Sequence, residues 1–388
     1  MKDKSLAVHS KLRGKIEVKS KVQVNNSEEL SLYYSPGVAV PSSAIAEDRS
    51  LVAEYTGRSN TVAIVSDGTA VLGLGDIGPY GALPVMEGKS MLFAEFAGIS
   101  AYPLVINSTC DQDVIDFCKM LEPSVGGILL EDIKAPNCVN IEQTLIKELD
   151  IPVFHDDQHG TAIVTVAALI NLMRLTGKDV KDMTMVLSGT GAAGSSIARM
   201  VKNLGVKTIY GYNINGVITE DKYESYDDVV KALIDEKIIT CFPNEQAKLS
   251  DAISNANIFV GVSAPNLLTA EMVKSMEKDP WIFAMANPSP EIDPQTALDS
   301  GAFFVGTGRS DFPNQVNNVL AFPGMFKGVL QSSAKIDEAM KLKVSHALAS
   351  YIKTEDLNQN YILPSTLDKG VADKIAQVII DGELNEKN

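Results

Sequence analysis

Two acidic pairs, Glu131-Asp132 and Asp156-Asp157, each follow a short apolar run, and Lys89 stands in Glu87-Gly88-Lys89-Ser90. Carboxylates that converge repel one another unless a cation or protons join them. Hard oxygen ligands with vacant positions suit Mg²⁺ or Mn²⁺. The same acids would serve equally as helix N-caps or solvated loop acids. His155 and His159, four apart, offer a rival zinc reading. His155 ends an apolar run and Gly160 follows closely, so a structural or hydrogen-bonding role is preferred for both. Lys89 among apolar residues could lose its proton through desolvation and become a base. A lysine that snorkels to the surface would look the same. Tyr34, beside Pro36, could simply be a packed aromatic. Spacing decides neither residue.

A third constellation is Gly189-Thr190-Gly191-Ala192-Ala193-Gly194, which follows the strand pattern Thr184–Ser188 and opens a helix over Ser195–Leu204. Its glycines permit a tight turn, close approach of the backbone to a pyrophosphate, and close helix–strand packing. The helix N-terminus, with its free N–H groups and dipole, favours the phosphate charge. A βα turn that merely needs glycine is the plainer alternative. With strand, turn, helix and next strand all in place, dinucleotide binding is favoured. The acidic residue expected on the ribose about 20 residues on is replaced by Asn213, at the end of Tyr210-Gly211-Tyr212-Asn213. Asparagine can bond a ribose hydroxyl but does not repel a 2′-phosphate, and no arginine follows to hold one. NAD is therefore expected, with NADP possible.

The elements that must position these groups alternate. Strands are expected at Thr61–Ser66, Tyr102–Ile106, Gly127–Leu130 and Ile151–Phe154, with helices at Pro84–Ala97, Asp111–Leu121 and Ile141–Leu149. A helix over Thr161–Arg174 leads to a second series of strands: Met183–Leu187, Lys207–Tyr212, Ile258–Val262, Trp281–Ala286 and Phe303–Val305. Alternation of this kind implies βαβ units and parallel sheets. Both acidic pairs then fall at the carboxyl ends of strands, where open α/β sheets bind ligands. Residues after Val24 read as polar chain leading into a loop at Pro36-Gly37. The tail from Lys335 to Asn388 reads as helical and is expected to pack back on the first unit.

At 388 residues the chain suggests two or three domains. Its net charge of −15 argues against nucleic acid or an anionic membrane as partner. The charged start Met1-Lys2-Asp3-Lys4, with no apolar run after it, gives no signal peptide, and Ala162–Met173 reads as a buried helix too short to span a bilayer. The four scattered cysteines fit a reducing compartment. A cytoplasmic protein is expected, and a symmetric dimer on general frequency.

Several separate segments, in order, resemble the malic enzymes, specifically their short bacterial type. They are Tyr33-Tyr34-Ser35-Pro36-Gly37-Val38-Ala39; Ser66-Asp67-Gly68-Thr69-Ala70-Val71-Leu72-Gly73-Leu74-Gly75-Asp76-Ile77-Gly78; Pro84-Val85-Met86-Glu87-Gly88-Lys89; Phe154-His155-Asp156-Asp157-Gln158-His159-Gly160-Thr161-Ala162; Ala286-Asn287-Pro288; and Asn314-Gln315-Val316-Asn317-Asn318 with Phe322-Pro323-Gly324. The resemblance covers nearly the whole chain. It implies an α/β fold in which a malic-type domain, 1–160 completed by 320–388, joins a Rossmann-like doubly wound domain, 161–319. It implies malate as substrate, oxidised and decarboxylated to pyruvate with NAD(P) and Mg²⁺ or Mn²⁺. Glu131, Asp132 and Asp157 would be the metal ligands, Lys89 the general base and Tyr34 the general acid. Asp156 would support the site, and Asn287 and Asn318 would touch substrate or nicotinamide. Larger members carry an arginine for the substrate carboxylate where this chain has Ala70, and His159 stands where glutamine is common. A malolactic enzyme or an oxaloacetate decarboxylase could use the same groups. A non-catalytic nucleotide sensor would bind cofactor without turnover, and an amino-acid dehydrogenase would not need the acidic cluster.

Overall fold

The computed structural model describes residues 2–386. Helices α1 (Lys2–Leu12), α2 (Ser27–Tyr33), α3 (Ala39–Glu47) and the single turn α4 (Val52–Tyr55) come first. None of the four buries a residue. Without a buried face there is no apolar stripe to see, which is why the stretch after Val24 reads as polar chain leading into a loop where α2 forms. α2 forms on a local signal instead, the side chain of Asn26 accepting the Glu29 N–H at 2.8 Å.

The first sheet holds β1 (Thr61–Ser66), β2 (Ser100–Val105), β3 (Gly127–Leu130) and β4 (Val153–His155), ordered β2-β1-β3-β4 and parallel throughout. Helices α5 (Gly78–Ala97), α6 (Asp111–Leu121) and α7 (Asn137–Glu148) connect them. Every residue of β1, β3 and β4 is buried. Strands covered on both faces read as continuous apolar runs, so these are legible in the residues themselves. α5 starts at Gly78, six residues before the expected boundary, and carries Pro84 in its interior. Pro79 near its first position is the better start signal.

α8 (Asp156–Thr176) follows β4 with no intervening loop, so Asp156 and Asp157 are its first residues. The expected start at Thr161 is therefore five residues late. By length and composition this 21-residue helix could cross a membrane. Every residue from Ala162 to Leu172 is buried in the protein, which makes it a core helix.

The second sheet has order β10-β9-β8-β5-β6-β7. Its parallel strands are β5 (Thr184–Ser188), β6 (Thr208–Asn213), β8 (Ile258–Gly261), β9 (Trp281–Ala284) and β10 (Phe304–Thr307); β7 (Gly216–Val217) adds an antiparallel edge. The outward order from β5 in both directions is that of a doubly wound sheet. Its helices are α9 (Ala192–Leu204), α10 (Asp228–Asp235), α11 (Leu249–Ile253), α12 (Ala270–Ser275) and α13 (Pro294–Asp299). The chain ends in α14 (Phe322–Ser332), α15 (Glu338–Ser350) and α16 (Gly370–Glu386). α14 returns to the first sheet, where Phe322 and Phe326 meet Phe93 of α5 edge-on at 4.9 and 5.4 Å. α16 seals α14, since side chains on Gly324 or Gly328 would collide with Ala372 and Ile379.

Candidate active site

The carboxyl ends of β1, β3 and β4 open on one side of the first sheet. Glu131 and Asp132 leave β3, while Asp156 and Asp157 begin the helix after β4. One carboxylate oxygen from each of Glu131, Asp132 and Asp157 lies within 4.8 Å of the other two. Glu131 and Asp132 are buried. Asp132 takes the left-handed backbone region, with φ of 56°, which is costly for a residue with a side chain. Its N–H donates to Asp157 Oδ2 at 2.7 Å, its carbonyl accepts the Ala70 N–H at 3.0 Å, and Oδ1 accepts the Leu72 N–H at 3.3 Å.

Lys89 reaches the cluster from α5, with only 8% of its surface exposed. Its Nζ forms an ion pair with Asp156 and lies 2.9 Å from Glu131 Oε1. The Phe322 ring sits 4.8 Å away beneath the ammonium. The surroundings are acidic rather than apolar, which corrects the desolvated-lysine reading. Burial alone would loosen the proton, but Asp156, Glu131 and Asp157 together outweigh it and hold the ammonium above its ordinary pKa. A side chain on Gly160 would strike both Asp156 Oδ1 and Asn318 Cβ, so that glycine lets Asn318 stand against the cluster.

The groups present fit a divalent cation. Glu131 Oε2, Asp132 Oδ2 and Asp156 Oδ1 are buried with no hydrogen-bond partner among the described residues. Such oxygens are costly unless something positive meets them. Burial, and then Asp157, pushes the Asp132 carboxyl up to about 7, while its bond from Leu72 opposes the shift. Glu131 is raised by burial in the same way. A carboxyl raised above its unfolded value adds stability below that value and loses it as pH rises through the folded one. The metal-free site therefore loses stability progressively as pH rises from the ordinary carboxyl value of 3.8 to about 7. Asp132→Asn should raise the Tm of chelator-treated protein by a few degrees at about pH 8 and by less at about pH 5. The same change should remove the Tm gain on adding Mn²⁺. A variant melting lower than the parent at the higher pH would show that the cluster is not strained.

Across the mouth of the cluster, loop 67–78 meets the second sheet: a side chain on Gly73 would overlap the Asn287 carbonyl, and Asn287's amide borders Gly308. The Gly-rich turn fits a dinucleotide. Gly189 has φ of +98°, and its Cβ would crowd the Val262 carbonyl. A Cβ on Gly194 would run into the Gly189 carbonyl, whereas space beside Gly191 is open. That leaves bare backbone at the start of α9, with Ala192 and Ala193 in its first turn. The Gly189 N–H donates to Tyr212 O at 2.8 Å, bringing the turn beside Asn213. Asn213 Oδ1 accepts the Asn215 N–H at 2.8 Å, and Nδ2 lies 3.5 Å from Thr190 Oγ1.

Tyr34 stands apart. It is 68% exposed, and its hydroxyl has no hydrogen-bond partner among the described residues, so the structure does not join it to the Lys89–Asp156 pair. His155 and His159 form no shared metal face. His155 Nδ1 accepts the Gln158 N–H at 3.3 Å, while the His159 ring lies between Glu142 and Ser196. Glu142 is a buried partner that sequence reasoning does not single out. A signal for it exists, since it falls with Cys138, Ile141 and Leu145 on the buried face of α7.

Known proteins resemble this chain in sequence and in fold. The family profile described as "Malic enzyme, N-terminal domain" matches residues 13–115, and "Malic enzyme, NAD binding domain" matches 158–381. A Bacillus subtilis protein named "Bifunctional malic/malolactic enzyme" is 49% identical over 98% of this chain and 92% of its own length. An NAD-dependent malic enzyme of Geobacillus stearothermophilus is 47% identical over 98% of this chain and 78% of its own. The crystal structure of an NAD-dependent malic enzyme from Thermotoga maritima superposes with a TM-score of 0.92 at 45% identity, covering 97% of this chain and 98% of that one. Two family profiles in order along the chain and near full-length likeness to malic enzymes agree with the parallel sheets and the acids at strand ends, and the chain belongs to the malic enzyme family.

Proposed function

We propose that this chain oxidises malate at C2 and releases its distal carboxyl as carbon dioxide, giving pyruvate, with NAD(P) and a divalent cation. The observation that carries the reading is Lys89 paired with Asp156 beside Glu131, Asp132 and Asp157, with one oxygen each of Glu131, Asp132 and Asp156 buried without a hydrogen-bond partner among the described residues. When bound, the nicotinamide supplies a two-electron acceptor and the cation a Lewis acid that also offsets the carboxylate charge. Glu131, Asp132 and Asp157 hold the cation, while Gly189, Gly191, Ala192, Ala193 and Gly194 receive the dinucleotide phosphates with Asn213 at the ribose. Asn213 brings no negative charge against a 2′-phosphate, so NAD is preferred and NADP admitted. Asn287 and Asn318, at the mouth of the cluster, orient malate and nicotinamide.

Lys89 Nζ takes the C2 hydroxyl proton, and the adjacent Asp156 carboxylate stabilises the ammonium that results. With the C2 hydrogen given up as hydride to the two-electron acceptor that a bound nicotinamide would supply, C2 is a ketone, and the C3–C4 bond breaks as carbon dioxide leaves, its electron pair passing through C3 to the C2 oxygen as an enolate. Tyr34 delivers a proton to C3. The substrate-binding half is assigned to 1–160 with 320–388 and the cofactor half to 161–319.

Tyr34 acts in a second copy of the chain. No residue of α1–α3 is buried, and Leu30, Leu32, Tyr33, Val38 and Val40 are exposed around it. A homodimer covers that apolar surface and carries Tyr34 to the partner's site.

Malate-dependent reduction of NAD, lost in excess chelator and restored by Mn²⁺ or Mg²⁺, is the expected result. Asp157→Asn should weaken metal activation by about 10–100-fold while sparing NADH binding. Full activity in excess chelator would remove the metal assignment. The bifunctional relative supports a second reading, in which the same site keeps its NADH and reduces pyruvate to lactate. Lactate formed without free NADH in that assay would favour it.

A further inference from the structure

Behind the acidic cluster lies a buried polar chain that the reaction above does not use. Glu142 projects from α7 with 4% of its surface exposed. Its Oε1 accepts the backbone N–H of His155 at 2.7 Å. Its Oε2 accepts from Gln158 Nε2 at 3.1 Å and lies 2.8 Å from His159 Nε2. A carboxylate only accepts, so His159 Nε2 carries the proton in that contact. His159 Nδ1 lies 2.8 Å from Ser196 Oγ of α9 and 3.1 Å from Lys341 Nζ of α15. Glu142, His159, Ser196 and Lys341 also line a cleft of about 680 Å³ between α7, α9 and α10. Within this polar chain, His155 Nε2 is the one buried side-chain atom without a hydrogen-bond partner among the described residues.

The three groups bound by Glu142 all belong to 155–159, the junction of β4 and α8. Asp156 and Asp157 sit in the middle of that junction and point the other way, toward Lys89 and Asp132. The turn is thus gripped from behind at three points by one carboxylate. Its front presents the oxygens that meet lysine and metal. Partners of this kind fix the orientation of ligating residues, and their loss costs about 10–100-fold in metal affinity.

We propose that Glu142 is a positioning residue, which sets the carboxylates of Asp156 and Asp157 by clamping the turn that bears them. His159 extends the clamp to the dinucleotide helix through Ser196, which gives a role to the histidine that stands where glutamine is common. The inference rests on the metal-site reading above.

The test is direct Mn²⁺ binding, read from the electron paramagnetic resonance of free Mn²⁺ titrated against the full chain, beside NADH binding by fluorescence. Glu142→Ala should raise the Mn²⁺ Kd about 10–100-fold. Glu142→Gln keeps the shape and one acceptor for His155, and should raise it at least about threefold even if the alanine variant fails to fold. NADH affinity should change much less than Mn²⁺ affinity in any folded variant, because Glu142 meets the dinucleotide helix only indirectly, through His159 and Ser196, and the Gly-rich turn keeps its own bonds. Equal losses of Mn²⁺ and NADH affinity would mark general loosening and overturn the proposal. So would an unchanged Mn²⁺ Kd in Glu142→Gln when Asp157→Asn has lost the metal. If Asp157→Asn binds Mn²⁺ as the parent does, the metal-site reading itself falls.

Discussion

Lys89→Ala is expected to lower kcat for malate oxidation by about 10²–10⁴-fold, the span that a single positioned acid or base contributes. The structure adds a sign that separates this role from simple packing. Lys89 is the cation that Glu131 and Asp156 now share. Its removal leaves the cluster more negative, so Mn²⁺ should bind as tightly as before or tighter. A residue that merely braced the site would weaken metal binding and turnover together. Lys89→Arg offers a second check, because guanidinium keeps the ion pairs but cannot give up a proton at working pH. It should be as inactive as the alanine variant, and a small primary amine should partly restore only the latter. Near-parental turnover by Lys89→Ala would assign the base elsewhere.

The acidity around Lys89 also bears on how the free enzyme waits for substrate. The carboxylates hold the ammonium above its usual pKa, so the metal-free chain keeps the base in its unusable form. Charge compensation at Glu131, Asp132 and Asp157 is the condition under which that proton is loosened. Metal requirement and base activation are then two faces of one electrostatic balance.

The parts of this site carried by strands are legible in the residues alone. β3 is an uninterrupted apolar run, β1 is apolar between Thr61 and Ser66, and the short β4 closes on His155, so the acids after β3 and β4 fall in place at strand ends. The glycines of 189–194 are legible too, because their need for bare backbone is local. What stays hidden depends on distant partners. That Lys89 is surrounded by acids follows from packing α5 on β1 and β2 so that its side chain reaches Glu131 after β3 and Asp156 after β4, and no periodicity within α5 reports it. Glu142 is intermediate. Its place in an apolar stripe announces burial, but only the fold discloses that its partners are His155, Gln158 and His159. The N-terminal helices show no apolar stripe because they bury nothing within the chain, and the Asn26 cap of α2 is the local signal they offer.

Tyr34→Phe should lower kcat by about 10²–10⁴-fold with a smaller change in KM for malate, since the ring stays and only the acid is lost. The exposed position of Tyr34 makes a stronger experiment possible. If each site takes its lysine from one chain and its tyrosine from the other, two inactive variants can complement. Coexpressed Tyr34→Phe and Lys89→Ala chains would pair at random, half as mixed dimers. Each mixed dimer gathers both defects in one site and leaves the other intact. Roughly a quarter of the parental sites would then be whole, and activity should return to about that level. Were Tyr34 to serve its own chain, every site in the mixture would carry one defect, and activity would stay as low as in either variant alone. If instead Tyr34→Phe alone turns over almost as the parent does, Tyr34 is a surface residue of the N-terminal segment and another group protonates C3.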